Sequence, residues 1–287
     1  VSDDSDIESS RAPLMEHLVE LRQRLIISIA ALLVGFLVCF FFSKDILKVL
    51  IHPFVMAQAL VSTQKASAGH FDMLLILVGL KSMPTAASTG MVYTAPLELF
   101  FTQVKLAGFG GLVVAFPVIG WQLYRFVAPG LYKRERMAFL PFLLASPILF
   151  ALGAALVYFI MLPFVLWFGL SQQITGVGPV SVQLLPKISE YLDLVTALLL
   201  AFGLCFQLPV VLSLLGMAGI VSSSMLRSAR RYAIVGVAGL AAVVTPPDPF
   251  SMLSLVVPLV LLYEISIWCV KLIELRRGKE EAAEEAS

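Results

Sequence analysis

Charge is what this chain has least of. Only 14% of its 287 residues are Asp, Glu, Lys or Arg, where a soluble domain carries roughly a quarter. Hydrophobic residues make up 59%, and the mean hydropathy is +0.94. No water-soluble core of this size absorbs so much apolar surface, so an ordinary globular enzyme is excluded and a polytopic α-helical membrane protein is implied. Cysteine is scarce: Cys39, Cys205 and Cys269 sit singly inside apolar runs. That excludes a CxxC redox or zinc site and leaves them as small buried hydrophobes. Histidine is equally rare, and His17, His52 and His70 all fall outside the apolar runs. With no GxSxG, HExxH or Walker loop either, no span offers a nucleophile and its base. No catalytic activity, metal or other cofactor is expected. The net charge of +1 does not single out nucleic acid as a partner, and none is expected.

What is abundant is long apolar sequence. Runs of membrane length occur at 25–42, 104–124, 139–166, 192–215, 232–244 and 250–270. A bilayer core of about 30 Å takes about 20 helical residues. The fifth run, between Arg231 and the "TPPD" breaker, is short for that task, and the breaker allows a tight hairpin into a short sixth run. The expected fold is therefore all-α with six transmembrane helices. Residues 13–270 form the membrane domain, with an outer loop at 43–97. Residues 1–12 read as a disordered acidic tail, which also lacks the basic start of a cleavable signal, and 271–287 as a charged tail. Within the outer loop, "FDMLLILVGL" (71–80) is too short to span and reads as an interfacial cap.

Basic residues orient the spans. Arg11, Arg22 and Arg24 precede the first. Arg125, Lys133, Arg134 and Arg136 separate the second and third. Arg227, Arg230 and Arg231 separate the fourth and fifth, and Lys271, Arg276, Arg277 and Lys279 follow the sixth. Every arginine thus falls on one side, which the positive-inside rule makes cytoplasmic, together with both termini.

Polar groups beside or inside spans are functional candidates by default. Six stand out: Glu20, Lys105, Glu135, Gln207, Asp248 and Glu264. Glu20 lies in "EHLVELRQRL", where Glu16, Glu20 and Arg24 share a helix face and Arg22 points the other way. It reads either as an intrahelical partner of Arg24 or as a seat for a cation from outside. Glu135 is the sole acid of "YRFVAPGLYKRERMAF" and suits the N-terminus of a helix. Gln207, two residues before Pro209, either caps carbonyls freed by the proline or bonds another span. Lys105 is expected to snorkel and Glu264 to lie at an interface.

In this order, "HLVELRQRL", "PLELFFTQVKLA", "FVAPGLYKRER", "AFGLCFQLPV" and "VTPPDPFSMLSLVVPLVLLYE" resemble the TatC family, the core subunit of the twin-arginine protein translocase. The resemblance covers about residues 13–270. It implies a concave, glove-like arrangement of six helices in a bacterial inner membrane. The function implied is a receptor for the twin-arginine signal peptides of folded cargo, with transport driven by the proton motive force. The implied partners are the single-span TatB and TatA subunits and further copies of the chain. Residue by residue, it implies a signal-peptide site at Glu20 and Glu135, shaped by Arg22, Phe126 and Pro129. Gln207 falls at a partner-helix docking position, often Glu in the family. Pro53 and Asp248 fall at outer-loop positions tied to translocation. The competing reading is a small-solute transporter or channel, which would show internal pseudosymmetry and a charged site at mid-membrane.

Overall fold

The computed structural model describes residues 3–65, 90–127, 133–177, 180–182, 186–244 and 249–285, with side-chain surroundings in the first helix from Leu18 onward. The order is α1 (Asp3–Phe41), α2 (Ser43–Lys65), α3 (Glu98–Val127) and α4 (Lys133–Leu156). A π-helical turn (Val157–Met161) joins α4 to α5 (Leu162–Ser171), and a small hairpin, β1 (Ile174–Val177) with β2 (Val180–Val182), leads to α6 (Ile188–Cys205). Then come α7 (Leu208–Met217), α8 (Ser223–Ser228), α9 (Arg230–Val244) and α10 (Pro249–Glu285).

Among the described residues, six stretches are long and apolar enough to cross a membrane: Leu18–Phe41, Ser43–Ser62, Glu98–Leu123, Leu144–Ser171, Ile188–Met217 and Leu255–Arg276. The fifth run is short, as expected, whereas the sixth is not. The 15 residues of α9 cover only about 22 Å at 1.5 Å per residue, well short of the hydrocarbon core. The sixth run, expected to be short, has 22 residues of membrane character inside a 37-residue helix. The segment 71–80 lies outside the described residues.

Ser43–Lys65 was expected to be loop and is instead a 23-residue helix. Its tie to the rest is set by a proline. Pro53 has no N–H, so the carbonyl of Val49, four residues back, is left without its helical donor. The Tyr158 hydroxyl donates to that carbonyl at 2.7 Å, and the Tyr191 hydroxyl donates to the neighbouring Leu50 carbonyl at 2.6 Å. Tyr191 sits one turn into α6, so the middle of α2 meets the beginning of another helix. The face of this helix that carries Pro53, Phe54, Ala57 and Leu60 is buried. Removing the hydroxyl in Tyr158→Phe takes away this donor and should destabilise the protein by about 0.5–1.5 kcal/mol. In a Pro53→Ala background, where residue 53 supplies the helical donor, the same change should cost less. Thermal unfolding of the four proteins in detergent measures that coupling.

Glycines let the spans approach closely. A Cβ on Gly111 of α3 would lie 2.6 Å from the Phe36 backbone nitrogen, and one on Gly35 of α1 would lie 2.8 Å from the Gly111 carbonyl oxygen. The two backbones are in direct contact there, as small residues permit in membrane bundles. The α4–α6 contact interlocks differently: Phe150 fills the space over Gly203, and Phe206 the space over Gly153. Pro163 perturbs α4 and α5, and the preceding turn widens so that the Leu162 N–H reaches the Val157 carbonyl.

Candidate functional site

At the arginine-rich end, two elements, α8 and α9, are pinned to α10. Glu274 accepts from the Ser223 backbone N–H at 2.8 Å and from the Ser223 hydroxyl. Tyr263 donates to the Leu226 carbonyl at 2.8 Å, and Arg230 pairs with Glu264 at 2.7 Å. The turn before them closes as a Schellman cap, with Gly219 at φ 69° and Ile220 N–H bonded to the Leu215 carbonyl. Glu264 is thus held in a partly exposed ion pair across helices.

Glu20 sits at the same end. It lies on α1, and its carboxylate keeps 32% of its side-chain surface exposed. Arg24, one turn on and 20% exposed, approaches Oε1 through Nη2 alone at 2.9 Å. No described residue donates to Oε2. The other guanidinium nitrogens are poorly served: Nη1 reaches Gln122 Oε1 at a long 3.4 Å, and Nε is buried with no partner among the described residues. A carboxylate and a guanidinium can make two parallel bonds; this pair makes one.

The placement of Gln122 follows from the glycine contact. With α1 and α3 antiparallel, juxtaposing Gly35 and Gly111 brings Arg24 opposite Gln122 in the same register. Gln122 is buried, and its Oε1 accepts from Arg24. Phe126, half-buried, lies one turn beyond Gln122 on the same helix, and Arg22 is exposed on the other side of α1. Glu135 falls in the first turn of α4, and its side chain lies outside the described residues, as does Pro129. Of the expected signal-peptide residues, Glu20 is therefore placed next to the α3 terminus that carries Phe126. Gln122 escaped the sequence reading, although an amide in the apolar run "VIGWQLYRF" is the same kind of signal that singled out Gln207.

Gln207 stands at the break between α6 and α7. Its Nε2 donates to the Ser146 carbonyl at 2.9 Å, and its Oε1 accepts from the Ser146 hydroxyl at 2.8 Å. Of its two open readings, the bond to another span is the one found, and that span belongs to the same chain. Replacement by leucine should lower stability by about 0.5–2 kcal/mol, measured by thermal unfolding in detergent.

The opposite end has its own polar node. Glu98 accepts from the Thr94 N–H at 2.8 Å, the Ala95 N–H at 3.2 Å and the Ser189 hydroxyl at 2.7 Å, with Lys187 3.8 Å away. Val92 pairs with the α6 entrance through Ile188 N–H at 3.0 Å and the Pro186 carbonyl at 3.1 Å. Lys105, expected to snorkel, meets both oxygens of Asp193 at 3.0 Å. Pro53 is buried in α2 as described, and Asp248 lies outside the described residues. Among the described residues no group of His, Cys, Asp and Glu is arranged to hold a metal ion.

Known proteins give this arrangement a context. The family model of TatC, the Sec-independent protein translocase protein, matches residues 16–258. A Sec-independent protein translocase protein TatC of Magnetococcus marinus is 43% identical over 281 residues, 98% of this chain and 92% of that one. The TatC of Escherichia coli is 34% identical over 256 residues, 89% of this chain and 87% of its own. A crystal structure of the twin-arginine translocase receptor TatC superposes with a TM-score of 0.69 at 34% identity, covering 90% of this chain and 99% of that one.

Proposed function

The chain belongs to the TatC family of Sec-independent protein translocases, and from that premise we propose that Glu20 and Glu135 together seat the consecutive arginines of a signal peptide. The observation that carries the reading is the state of Glu20: a half-exposed carboxylate, bonded through one oxygen by one nitrogen. A guanidinium arriving from another chain gains a second, parallel bond that Arg24 does not make. Lysine is a point charge and has no such geometry to offer.

Around this seat, Arg22, Phe126 and Pro129 shape the site at the cytoplasmic face of a bacterial inner membrane, with both termini on that side. The arginine bias of the loops supports that orientation. The chain acts as a receptor and scaffold rather than an enzyme. It recruits TatB and TatA, with Gln207 near one docking helix, and associates with further copies of itself. Folded cargo then crosses under the proton motive force, and Pro53 and Asp248 serve that step from the far side.

The test is site-specific crosslinking of a twin-arginine signal peptide, with export of a folded cargo, in Glu20→Ala, Glu135→Ala and the double variant. Loss of crosslinking in the single variants supports the seat. Normal crosslinking and export in all three would remove both glutamates from it.

A further inference from the structure

Resting on the arginine-seat reading, we propose that Arg24 is a displaceable internal occupant of Glu20, and that Gln122 is the receiving site that takes Arg24 when a peptide arginine arrives. Gln122 is then a specificity-determining residue on a helix 98 positions away in sequence.

Arg24 is poorly held. One nitrogen makes a good bond to Glu20, one makes a stretched bond to Gln122, and Nε is buried without a described partner. A structural arginine at this burial normally has its donors satisfied. Arg24 has instead one foot on each of two acceptors: Glu20 on its own helix and Gln122 on α3. The Glu20–Arg24 bond is intrahelical and partly exposed, the class worth least among ion pairs.

An incoming guanidinium competes for Glu20 and brings a second positive charge to within a few ångströms of the first. Arg24 must move or be repelled. Gln122 Oε1 is an acceptor already at 3.4 Å, so a small rotation shortens that bond as the bond to Glu20 breaks. The exchange leaves neither arginine unpaired. It also raises the requirement on the visitor, because a ligand unable to pair with both carboxylate oxygens gains nothing over Arg24. The device thus rejects weak cations as well as holding Glu20 ready.

The experiment is a binding titration of a twin-arginine peptide and its twin-lysine analogue to the full-length protein in detergent, using wild type, Glu20→Gln, Arg24→Gln, Gln122→Leu and the Arg24→Gln/Gln122→Leu double. Without its competitor, Arg24→Gln should bind the arginine peptide about three- to tenfold tighter and narrow the preference over lysine. Gln122→Leu should bind about threefold or more weakly, because displaced Arg24 has nowhere to go. The double should match Arg24→Gln, since Gln122 has no task once Arg24 is gone. Arg24→Lys, which restores the competing charge, should return towards wild type. If Arg24→Gln binds no tighter, or the gain from Arg24→Gln and the loss from Gln122→Leu simply add in the double, the exchange is overturned even though Glu20 remains the seat. If Glu20→Gln itself binds normally, the seat fails, and the exchange with it. A merely structural role for Arg24 would lower thermal stability in Arg24→Gln and leave the arginine-to-lysine preference untouched.

Discussion

Glu20→Ala is expected to weaken binding of a twin-arginine peptide by about 30- to 150-fold, the lower part of the range for truncating one member of a hydrogen-bonded charge pair across an interface. Two losses combine. The peptide loses a charge-assisted, bidentate acceptor. Arg24 loses its one short bond and remains at the site as an uncompensated cation that repels the visitor. Glu20→Gln separates them, because the amide keeps one acceptor and removes the charge. It should fall between wild type and alanine. Thermal stability should change little by comparison, since the one described hydrogen bond and ion pair of Glu20 is with Arg24 and that pair is partly exposed. Isothermal titration alongside thermal unfolding checks both statements.

The second large effect concerns the scaffold. Gly111→Val should separate α1 from α3, because even its Cβ would lie 2.6 Å from Phe36 N and 2.8 Å from Phe36 Cα, both backbone atoms that cannot rotate aside. Overpacking of this kind costs about 1–3 kcal/mol where side chains can yield, and here none of the nearest atoms belongs to a side chain. Function should fall with stability, since the same contact holds Gln122 opposite Arg24. Gly120→Ala is the matched control on the same helix. Its Cβ would meet nothing within 4 Å, and alanine favours the helix, so stability should hold or rise by up to about 1 kcal/mol. If Gly111→Val unfolds no earlier than wild type, the two backbones do not touch as described.

These two effects mark where sequence reading succeeds and where it stops. The Glu20–Arg24 pair was legible because both residues lie on one helix, whose period fixes their proximity without any tertiary information. The Arg24–Gln122 contact was not, because it depends on the register of two antiparallel helices, and that register is set by the two glycine positions rather than by any polar pattern. Similarly, the family resemblance pointed to Pro53 but supplied no reason. The reason is a carbonyl on Val49 whose replacement donor, Tyr158, comes from 109 positions further along the chain. The long spans were readable from hydropathy alone. Helix α2 was not, because "SKDILKVLIHPFVMAQALVS" mixes charges and a proline into an apolar stretch that folds against its neighbours. Lys105 shows the same limit in miniature: nothing local reveals that Asp193, 88 residues away, lies opposite it.

The central claim, that a carboxylate on α1 is shaped for a visiting guanidinium, has one direct measurement. Full-length protein in detergent is titrated with a signal peptide carrying two adjacent arginines and with the same peptide carrying two lysines, in wild type and in Glu20→Ala. The account predicts at least about tenfold tighter binding of the arginine peptide to wild type, as loss of a bidentate charge-assisted bond implies. It also predicts that most of this preference disappears in Glu20→Ala. Equal affinity of wild type for the two peptides, or an arginine preference that survives unchanged without Glu20, would contradict it.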